Sequence, residues 1–348
     1  MPSGPTELVD RFGRVVRDLR LSVTPRCNFR CHYCDPLGAG AHEPPGTLSV
    51  AEVAVVLRAA AGLGMTSVRF TGGEPLLRKE LSAMIAVAKG ELGIPDVAVT
   101  TNASALERRL PELLEAGLDR FNISLDALDP EIFRAITQGG DAARVWRGIE
   151  AVAEAGLTPV KLNTVVMRGI NDGEIVPLAE LTARRAFHVR FIEYMHLNNA
   201  AASSYQEHFM AGADIRARVE AAFGELEPVE TDPSAPARLC RVPGWPGAIG
   251  FINPVSEPFC SSCSRMRVTS DGMLRPCLLT DRELELRTAL AADDPVAAVR
   301  DRFLEAAHRK VASGDTAQVQ PRRTMVAIGL SARRSLSFSS GMPSSSWL

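Results

Sequence analysis

The chain has 348 residues, of which 46% are hydrophobic and 23% are charged, with a formal net charge of −2. This composition is typical of a globular protein and gives no general attraction to nucleic acid or to anionic lipid. No apolar run is long enough to span a membrane, and the N-terminal segment lacks the apolar core of a signal peptide, so we expect a cytoplasmic protein. Seven cysteines, an odd number, then favour metal ligation over a set of disulfides.

From residue 19 the chain alternates short β-rich runs with amphipathic helical patterns, which predicts parallel βα units. The predicted strands are Leu19–Val23, Ser67–Phe70, Val97–Thr100, Arg120–Ser124, Thr158–Val165 and His188–Ile192. The predicted helices between them are Val50–Ala61, Lys79–Leu92, Ala105–Ala116, Ala143–Ala155 and Gly173–Ala183. Six strands are too few for a closed eight-stranded barrel, so the pattern predicts an α/β fold with an open, partial (β/α)6 barrel. A doubly wound sheet is the alternative.

The pattern changes after Met195. Residues 196–210 are predicted to form a loop, Ala211–Phe223 a helix, and Glu227–Ala237 a proline-rich connector. In a second block, residues 267–269 and 273–277 flank an Asp-Gly turn and predict a β-hairpin, and helices are predicted at Glu283–Leu290 and Pro295–Val311. We therefore divide the chain into an N-terminal extension (1–18), the partial barrel (19–225), a connector (226–238), a C-terminal α+β domain that closes the barrel mouth (239–330) and a disordered, serine-rich tail (331–348).

The segment 26–34, RCNFRCHYC, places Cys27, Cys31 and Cys34 at C-x3-C-x2-C spacing. Structural zinc and simple electron-transfer [4Fe-4S] clusters usually take four protein ligands. Three thiolates on a four-iron cluster leave one iron open to bind another molecule. The alternative is zinc, with His32 or a distant residue as the fourth ligand.

A second triad, Cys260, Cys263 and Cys277, repeats this arrangement in the C-terminal block. It predicts a second four-iron cluster whose open iron could bind a substrate. The alternative is a zinc knuckle completed by Cys240, since C-x2-C is a common half-site for zinc.

Polar motifs lie at the carboxyl ends of the predicted barrel strands, within the fifth and along the sixth, where parallel α/β barrels place their chemistry. After the cysteine loop they are Thr71-Gly72-Gly73-Glu74-Pro75, Thr100-Thr101-Asn102, Ser124-Leu125-Asp126, Lys161-Leu162-Asn163 and Arg190–Met195. The paired glycines would let a ligand approach the backbone closely, and Glu74 could accept hydrogen bonds from an ammonium group.

Cations are concentrated in the same strands. Arg265 and Arg267 stand at alternate positions beside the second triad, so in a strand they would point to the same face. Arg20, Arg69, Lys161 and Arg190 lie in or at the ends of barrel strands. Guanidinium groups suit phosphate oxygens, so six cations at one site indicate a polyanionic substrate.

Together these motifs resemble the GTP 3′,8-cyclases, the radical S-adenosylmethionine (SAM) enzymes that begin molybdenum cofactor biosynthesis. The resemblance runs from about Asp10 to Gly329 and rests on residues 19–24, 68–78, 161–163, 190–195 and 263–267. It implies two [4Fe-4S] clusters, with SAM on the first and GTP between the two, the guanine facing the second. It also implies that a 5′-deoxyadenosyl radical removes the ribose C3′ hydrogen, giving 3′,8-cyclo-7,8-dihydro-GTP.

The resemblance also assigns roles to residues. It implies SAM contacts from Tyr33, Gly73, Glu74, Ser124 and Met195. It implies substrate contacts from Arg20, Arg69, Thr100, Lys161, Arg190, Arg265 and Arg267, and a catalytic role for the five arginines among them. The implied partners are an electron donor such as a flavodoxin or ferredoxin, the downstream cyclic pyranopterin monophosphate synthase, and a second copy of the chain in a homodimer.

Two segments depart from the family pattern. His196 stands where the family usually has proline, and Leu330 replaces the second glycine of a terminal Gly-Gly pair, with residues 331–348 behind it. We therefore expect a chain that binds SAM and GTP but turns over poorly. The alternatives are a peptide-modifying radical SAM enzyme with two clusters, which the arginines disfavour, and a zinc-stabilised binding protein.

Overall fold

The computed structural model of the chain describes residues 7–35, 46–195, 205–280 and 282–313. The strands, numbered in chain order, are β1 Asp18–Ser22, β2 Ser67–Thr71, β3 Asp96–Thr101, β4 Arg120–Ser124, β5 Val160–Val166, β6 Phe187–Glu193, β7 Glu227–Val229, β8 Arg238–Arg241, β9 Ala248–Ile252, β10 Arg265–Val268, β11 Met273–Arg275 and β12 Leu284–Glu285. The helices are α1 Val50–Gly62, α2 Leu81–Ala86, α3 Leu106–Glu115, α4 Pro130–Thr137, α5 Ala142–Glu154, α6 Ile175–Arg184, α7 Tyr205–His208, α8 Gly212–Phe223, α9 Arg287–Leu290 and α10 Pro295–His308. None of the helices in these ranges combines the length and apolar character needed to cross a lipid bilayer.

The twelve strands in the described residues form one open sheet in the order β12-β11-β10-β1-β2-β3-β4-β5-β6-β9-β8-β7. Strands β1 to β6 are parallel neighbours in chain order, and helices connect them. The predicted α/β fold with an open, partial (β/α)6 barrel is therefore confirmed, because the six predicted strands are these six. Helix α4 was not predicted as a separate element.

The C-terminal block extends this sheet at both edges. Strand β9 pairs in parallel with β6, and β10 pairs in parallel with β1. Strands β10 and β11 form the predicted hairpin. This refines the expectation that the block closes the barrel mouth, because its strands lie along both open edges of the barrel sheet.

Other expectations for the C-terminal half need correction. The predicted helix Glu283–Leu290 is wrong in its first part, where β12 pairs with β11. The segment is a strand because its buried side chains recur at every second residue, as Leu284 and Leu286 do. The predicted connector contains β7, which pairs with β8. The predicted loop begins with residues 196–204, which, like 1–6 and 314–348, lie outside the described residues.

Alternation along the strands gives the barrel sheet two chemically different faces. One face is apolar and belongs to the same buried core as Val53 and Leu57 of α1. It consists of Leu19, Leu21, Val68, Phe70, Val97, Val99, Phe121, Ile123, Leu162, Val189 and Phe191, all 2% exposed or less. The opposite face, here called the polar face, carries the residues between them.

Glu193, the last residue of β6, is fully buried and joins three parts of the fold. Its carboxylate accepts hydrogen bonds from the backbone of Gly212 at 2.7 Å, Val255 at 2.8 Å and Ser256 at 3.0 Å. The hydroxyl of Ser256 also donates to it. The end of β6 thereby fixes the start of α8 and the segment that leads to Cys260.

We predict that Glu193→Ala lowers the free energy of unfolding by about 2–4 kcal/mol, because several buried donors lose a charged acceptor. Urea denaturation under anaerobic conditions measures this change. The control is Glu220→Ala on α8, whose carboxylate pairs with Arg216 at the surface and should cost less than about 1 kcal/mol. Equal losses in the two variants would contradict the role given to Glu193.

Candidate active site

The first cysteine triad lies in the loop after the carboxyl end of β1, and its three side chains are thiols that are partly buried. Two backbone N–H groups of this loop, from Arg30 and His32, donate to the carbonyls of Thr137 and Ile136 at 3.1 and 3.2 Å. These carbonyls belong to the last turn of α4, where helix carbonyls lack partners within the helix. Phe29 packs edge-to-face on Phe133 of the same helix, with ring centroids 6.0 Å apart. Helix α4 therefore fixes the loop.

Gly72 and Gly73 let the loop after β2 lie directly against the start of the cysteine loop. A Cβ atom on Gly72 would lie 2.2 Å from the Thr24 carbonyl oxygen, and one on Gly73 would lie 2.2 Å from that of Arg26. The Gly73 N–H donates to Thr24 at 2.8 Å. The glycines thus serve the approach of two backbone segments, where the sequence suggested the approach of a ligand.

Glu74 is fully buried and its carboxylate is engaged with the protein. It accepts hydrogen bonds from the Leu76 N–H at 2.9 Å, the Thr101 hydroxyl at 2.7 Å and the Asn102 N–H at 2.6 Å. Burial raises the pKa of Glu74 to about 7, although these donors act in the opposite direction. In this geometry the side chain positions the end of β3 and has no exposed oxygen to offer an ammonium group.

Asn102 and Asn28 form a contact to the triad that the sequence analysis did not single out. The Asn102 amide donates to the Asn28 side chain at 3.0 Å and lies 4.0 Å from the Cys27 sulfur. Asn28 in turn donates to the Ser104 hydroxyl at 2.9 Å. Since hydrogen bonds to sulfur tune thiolate-bound clusters, Asn102 belongs to the site. Only its place after a strand could have indicated this.

Tyr33 and Asp126 join the cysteine loop to the ends of β4 and β5. The Tyr33 hydroxyl donates to Asp126 at 2.7 Å, and the Val165 N–H donates to the other carboxylate oxygen at 2.9 Å. Burial raises the pKa of Asp126 to about 6. Ser124 is partly exposed at the end of β4, and Met195 is partly buried two residues beyond β6.

The thiols of the first triad lie in surroundings that disfavour a bare thiolate. Burial raises the pKa of Cys27 to about 11, with the carboxylates of Glu74 and Asp35 adding to the effect. Burial also raises the pKa of Cys31 well above its usual value, and Asp126 adds to it. Thiolates at this position require a positively charged group, which iron supplies, so the donor set fits an iron-sulfur cluster.

In the described residues, no three His, Cys, Asp or Glu side chains converge closely enough to hold a single metal ion. Cys240, the proposed completion of a zinc knuckle, is buried in β8 within the hydrophobic core.

The second triad lies at the opposite end of the strands from the first. Cys260 begins a short 3-10 turn, Cys263 precedes β10, and Cys277 follows β11. Because β10 runs parallel to β1, with Arg265 paired to Asp18, the start of β10 lies at the amino end of β1. The first triad follows the carboxyl end of β1, and the five residues of that strand span about 13 Å.

The polar face connects the two triads, and strand register places the predicted substrate residues on it. Arg20 is the register partner of both Arg69 and Arg267. Across the next strands, Thr100 pairs with Asn122, and Asn122 pairs with Lys161. Nearer the first triad the face carries Ser124, Asn163 and Arg190. The structure thus brings Arg20, Arg69, Thr100, Ser124, Lys161, Arg190, Arg265 and Arg267 onto one surface.

Several of these cations are at least partly buried and form no ion pair in the described part of the chain, although the Asp18 carboxylate acts on Arg20, Arg69 and Arg267. Among the described residues, Arg20, Arg69, Lys161 and Arg267 have no ion-pair partner, and the Nε atoms of Arg20, Arg69 and Arg190 have no acceptor. Burial lowers the pKa of Lys161 to about 8, of Arg190 to about 9 and of Arg267 to about 10, and neighbouring arginines add to this. Such a group of buried cations favours binding of a polyanion.

Other cations on the face are already engaged. Arg265 lies 3.8 Å from Asp18, donates to the Ser234 carbonyl and stacks 5.0 Å from the centre of the Phe259 ring. Arg120, which the sequence analysis did not select, pairs with Asp96. Arg190 donates to Asn122 at 2.7 Å. Arg267 is therefore better placed than Arg265 for a new anion.

Two family models match the chain: Radical SAM superfamily over residues 21–182 and Molybdenum Cofactor Synthesis C over residues 187–315. A GTP 3′,8-cyclase of Alkaliphilus metalliredigens is 41% identical over 83% of this chain and 90% of its own length. Those of Geobacter sulfurreducens and Thermodesulfovibrio yellowstonii are 44% and 38% identical, covering 83% and 92% of this chain and 89% and 99% of their own lengths. The crystal structure of Streptococcus suis SuiB matches with a TM-score of 0.58 at 16% identity, over 84% of this chain and 68% of that chain, which shows a shared fold.

We predict that the reconstituted protein contains about eight irons, from two four-iron clusters. Replacing Cys27, Cys31 and Cys34 together with alanine should remove about half of the iron and all cleavage of SAM. Iron and sulfide analysis after anaerobic purification measures the first effect, and 5′-deoxyadenosine release measures the second. Cys240→Ala is the matched control and should keep the full iron content. Continued SAM cleavage by the triple variant would contradict the assignment.

Proposed function

The chain belongs to the GTP 3′,8-cyclases, a family of radical SAM lyases, and we propose that its polar face holds GTP between the two cysteine triads. The family converts GTP to 3′,8-cyclo-7,8-dihydro-GTP at the start of molybdenum cofactor biosynthesis, with SAM and two [4Fe-4S] clusters. The observation that carries the proposal is the set of at least partly buried cations on that face that form no ion pair among the described residues. A triphosphate supplies the missing negative charge.

The proposal gives each end of the polar face one ligand. The first triad would hold the cluster that binds SAM, with Tyr33, Gly73, Glu74, Ser124 and Met195 as the residues around it. Contact with SAM falls to the backbone of Gly73, because the Glu74 carboxylate is engaged with β3. Glu74 and Tyr33 would act by holding the loops that form this end.

The second triad would hold the cluster that meets the guanine. Arg265 and Arg267 flank this triad, and the register pairs of Arg267 lead through Arg20 to Arg69. We assign the triphosphate to the cations with free donors, above all Arg69 and Lys161, with Arg190 beside them. Thr100 lies in the same row of register partners as Asn122 and Lys161 and contributes a hydroxyl group.

In the reaction the protein residues bind and orient GTP so that the ribose C3′ lies toward the first triad. When bound, SAM and the first cluster supply the 5′-deoxyadenosyl radical that removes the C3′ hydrogen. Five arginines contact the substrate and hold its charged groups in position during ring closure. They are Arg20, Arg69, Arg190, Arg265 and Arg267. Fixed donors at a low-dielectric site stabilise charge without reorganisation.

The proposed partners follow from this chemistry. An electron donor such as a flavodoxin or a ferredoxin would reduce the first cluster, and the product would pass to cyclic pyranopterin monophosphate synthase. We also propose that the chain forms a homodimer. We place the protein in the cytoplasm, because oxygen-sensitive clusters held by cysteine thiolates need a reducing compartment.

We predict that Arg267→Ala weakens GTP binding about tenfold or more, because a charge-assisted contact contributes roughly 1.5–3 kcal/mol. Arg265→Ala should also weaken GTP binding, but less than Arg267→Ala does, because Arg265 already contacts Asp18 and Ser234. Equilibrium binding under anaerobic conditions measures both. SAM binding and uncoupled SAM cleavage should survive in each variant.

The matched control for these variants is Arg216→Ala on α8, where the guanidinium pairs with Glu220 away from the polar face. It should bind GTP with the affinity of the unchanged protein. Unchanged GTP affinity in both Arg265→Ala and Arg267→Ala would show that the substrate lies elsewhere. Binding of a peptide in place of GTP would favour the peptide-modifying alternative.

A further prediction concerns Leu330 and the tail, which lie outside the described residues. A Gly-Gly end can enter a narrow site because it has no side chains, whereas Leu330 adds a branched side chain and eighteen residues follow it. Small misplacements of a substrate can cost on the order of a hundredfold in rate. A chain that ends at residue 330 and carries Leu330→Gly should therefore form clearly more cyclised product per 5′-deoxyadenosine.

The matched control is a chain that ends at residue 330 and keeps Leu330, which separates the side chain from the tail. Liquid chromatography of both products under anaerobic turnover measures the coupling ratio. Equal coupling in the full chain and in the trimmed Leu330→Gly chain would show that this terminus does not limit the reaction.

A further inference from the structure

Lys310 is a buried lysine behind the second cysteine triad. It lies two residues beyond α10 and is 3% exposed. Its ammonium group donates to the Arg265 carbonyl at 2.8 Å and to the Pro276 carbonyl at 3.2 Å. These carbonyls stand two residues after Cys263 and one residue before Cys277. One side chain thus joins the two strands of the hairpin at the end that carries the cysteines.

A second buried cation holds the remaining member of the triad. Arg14 donates to the Cys260 carbonyl at 2.6 Å and to the Val311 carbonyl at 2.7 Å, next to Lys310. Asp10 accepts from the Arg14 guanidinium at 2.6 Å, and its own side chain is fully buried. Backbone carbonyls at or beside all three cysteines therefore accept hydrogen bonds from just two cations.

Only one of these two cations forms an ion pair within the described ranges. Asp10 offsets the charge of Arg14, whereas Lys310 has no ion-pair partner among the described residues. Burying a lone ammonium group is costly unless a negative charge lies near it. Burial lowers the pKa of Lys310, and the negative groups that act most strongly against this are the thiolates of Cys263 and Cys277. These thiolates, bound to iron, would supply the missing negative charge.

Lys310 differs from the arginines of the polar face because it cannot serve the substrate. Its ammonium group is buried and occupied by two backbone carbonyls, so it has no route to GTP. Its charge can therefore act only on the iron-sulfur cluster that the three cysteines would bind. One-electron reduction adds a negative charge to a cluster, and a fixed positive charge nearby stabilises the reduced form.

We propose that Lys310 is a positioning residue whose fixed charge raises the reduction potential of the second cluster and offsets the charge of its thiolates. The inference rests on the proposed [4Fe-4S] cluster at Cys260, Cys263 and Cys277. It adds to the proposed function a residue that tunes the substrate-binding cluster without touching SAM or GTP.

The test uses the full chain with Cys27, Cys31 and Cys34 replaced by alanine, so that only the second cluster is present. In this background Lys310→Met removes charge and hydrogen bonds, and Lys310→Gln removes the charge but keeps a donor. A dithionite titration followed by electron paramagnetic resonance gives the midpoint potential, and iron analysis gives the occupancy. The matched control is Lys89→Met, since Lys89 also bonds a backbone carbonyl but pairs with Asp119 on another part of the fold.

We expect both Lys310 variants to keep about four irons and to shift the midpoint potential to more negative values, while Lys89→Met leaves it unchanged. An unchanged potential in both variants would overturn the proposal. So would a shift in Lys310→Met alone, because hydrogen bonding would then explain it. Loss of iron in both variants would also overturn it and leave Lys310 a purely structural role. The measurement needs neither SAM nor GTP, and absence of a cluster in the unchanged background would instead contradict the proposed function.

Discussion

The central physical constraint in this structure is that successive side chains of its parallel strands point to opposite faces of the sheet. It separates an apolar face, which α1 and the other helices bury, from a polar face that carries arginines and a lysine. Because neighbouring parallel strands keep paired residues on the same side, cations from distant parts of the sequence become neighbours. Arg20 meets Arg69 and Arg267 in this way. A bound anion would relieve their mutual repulsion beyond what Asp18 does, so sheet register favours a negatively charged substrate.

A second feature of the fold is its use of buried carboxylates at strand ends. Glu74 follows β2, Asp126 follows β4, and Glu193 ends β6. Each accepts backbone N–H groups from an element that is distant in sequence. Such bonds to a charged acceptor are stronger than neutral ones, which suits segments that must hold a cofactor without regular secondary structure. The loops of both triads are positioned through these carboxylates, Asp126 acting on the first and Glu193 on the second.

The sequence could predict the features that depend on local pattern. The six barrel strands, the cysteine spacings and the hairpin around Asp271 and Gly272 all follow from period, turn chemistry and ligand count. It could not predict that β9 and β10 pair with opposite edges of the barrel, because nonlocal pairing leaves no local signal. For the same reason it could not predict that the two triads lie at opposite ends of the strands, which follows from strand direction.

Side-chain roles were also harder to predict than element positions. Glu74 was expected to meet a ligand, but its three protein donors depend on where β3 ends. Lys310 was not selected at all, because a lysine after a helix is usually exposed and only tertiary packing buries it. Arg265 and Arg267 look equivalent in sequence, yet the nearby Asp18 carboxylate and Ser234 carbonyl engage only Arg265. The differences arise from neighbours that are remote along the chain.

The two ends of the polar face also differ in charge. Around the first triad, the carboxylates of Glu74, Asp35 and Asp126 act on the cysteine thiols and raise the pKa of Cys27 and Cys31 beyond the effect of burial. In the second triad, burial acts to raise the pKa of Cys263 but Lys310 and Arg265 bring it below its usual value, whereas burial raises the pKa of Cys277. SAM carries positive charge on its sulfonium and ammonium groups, whereas GTP carries negative charge on its phosphates. Under the proposed function, the carboxylates near the first triad would suit the cationic groups of SAM, and the cations along the rest of the face would suit the phosphates of GTP.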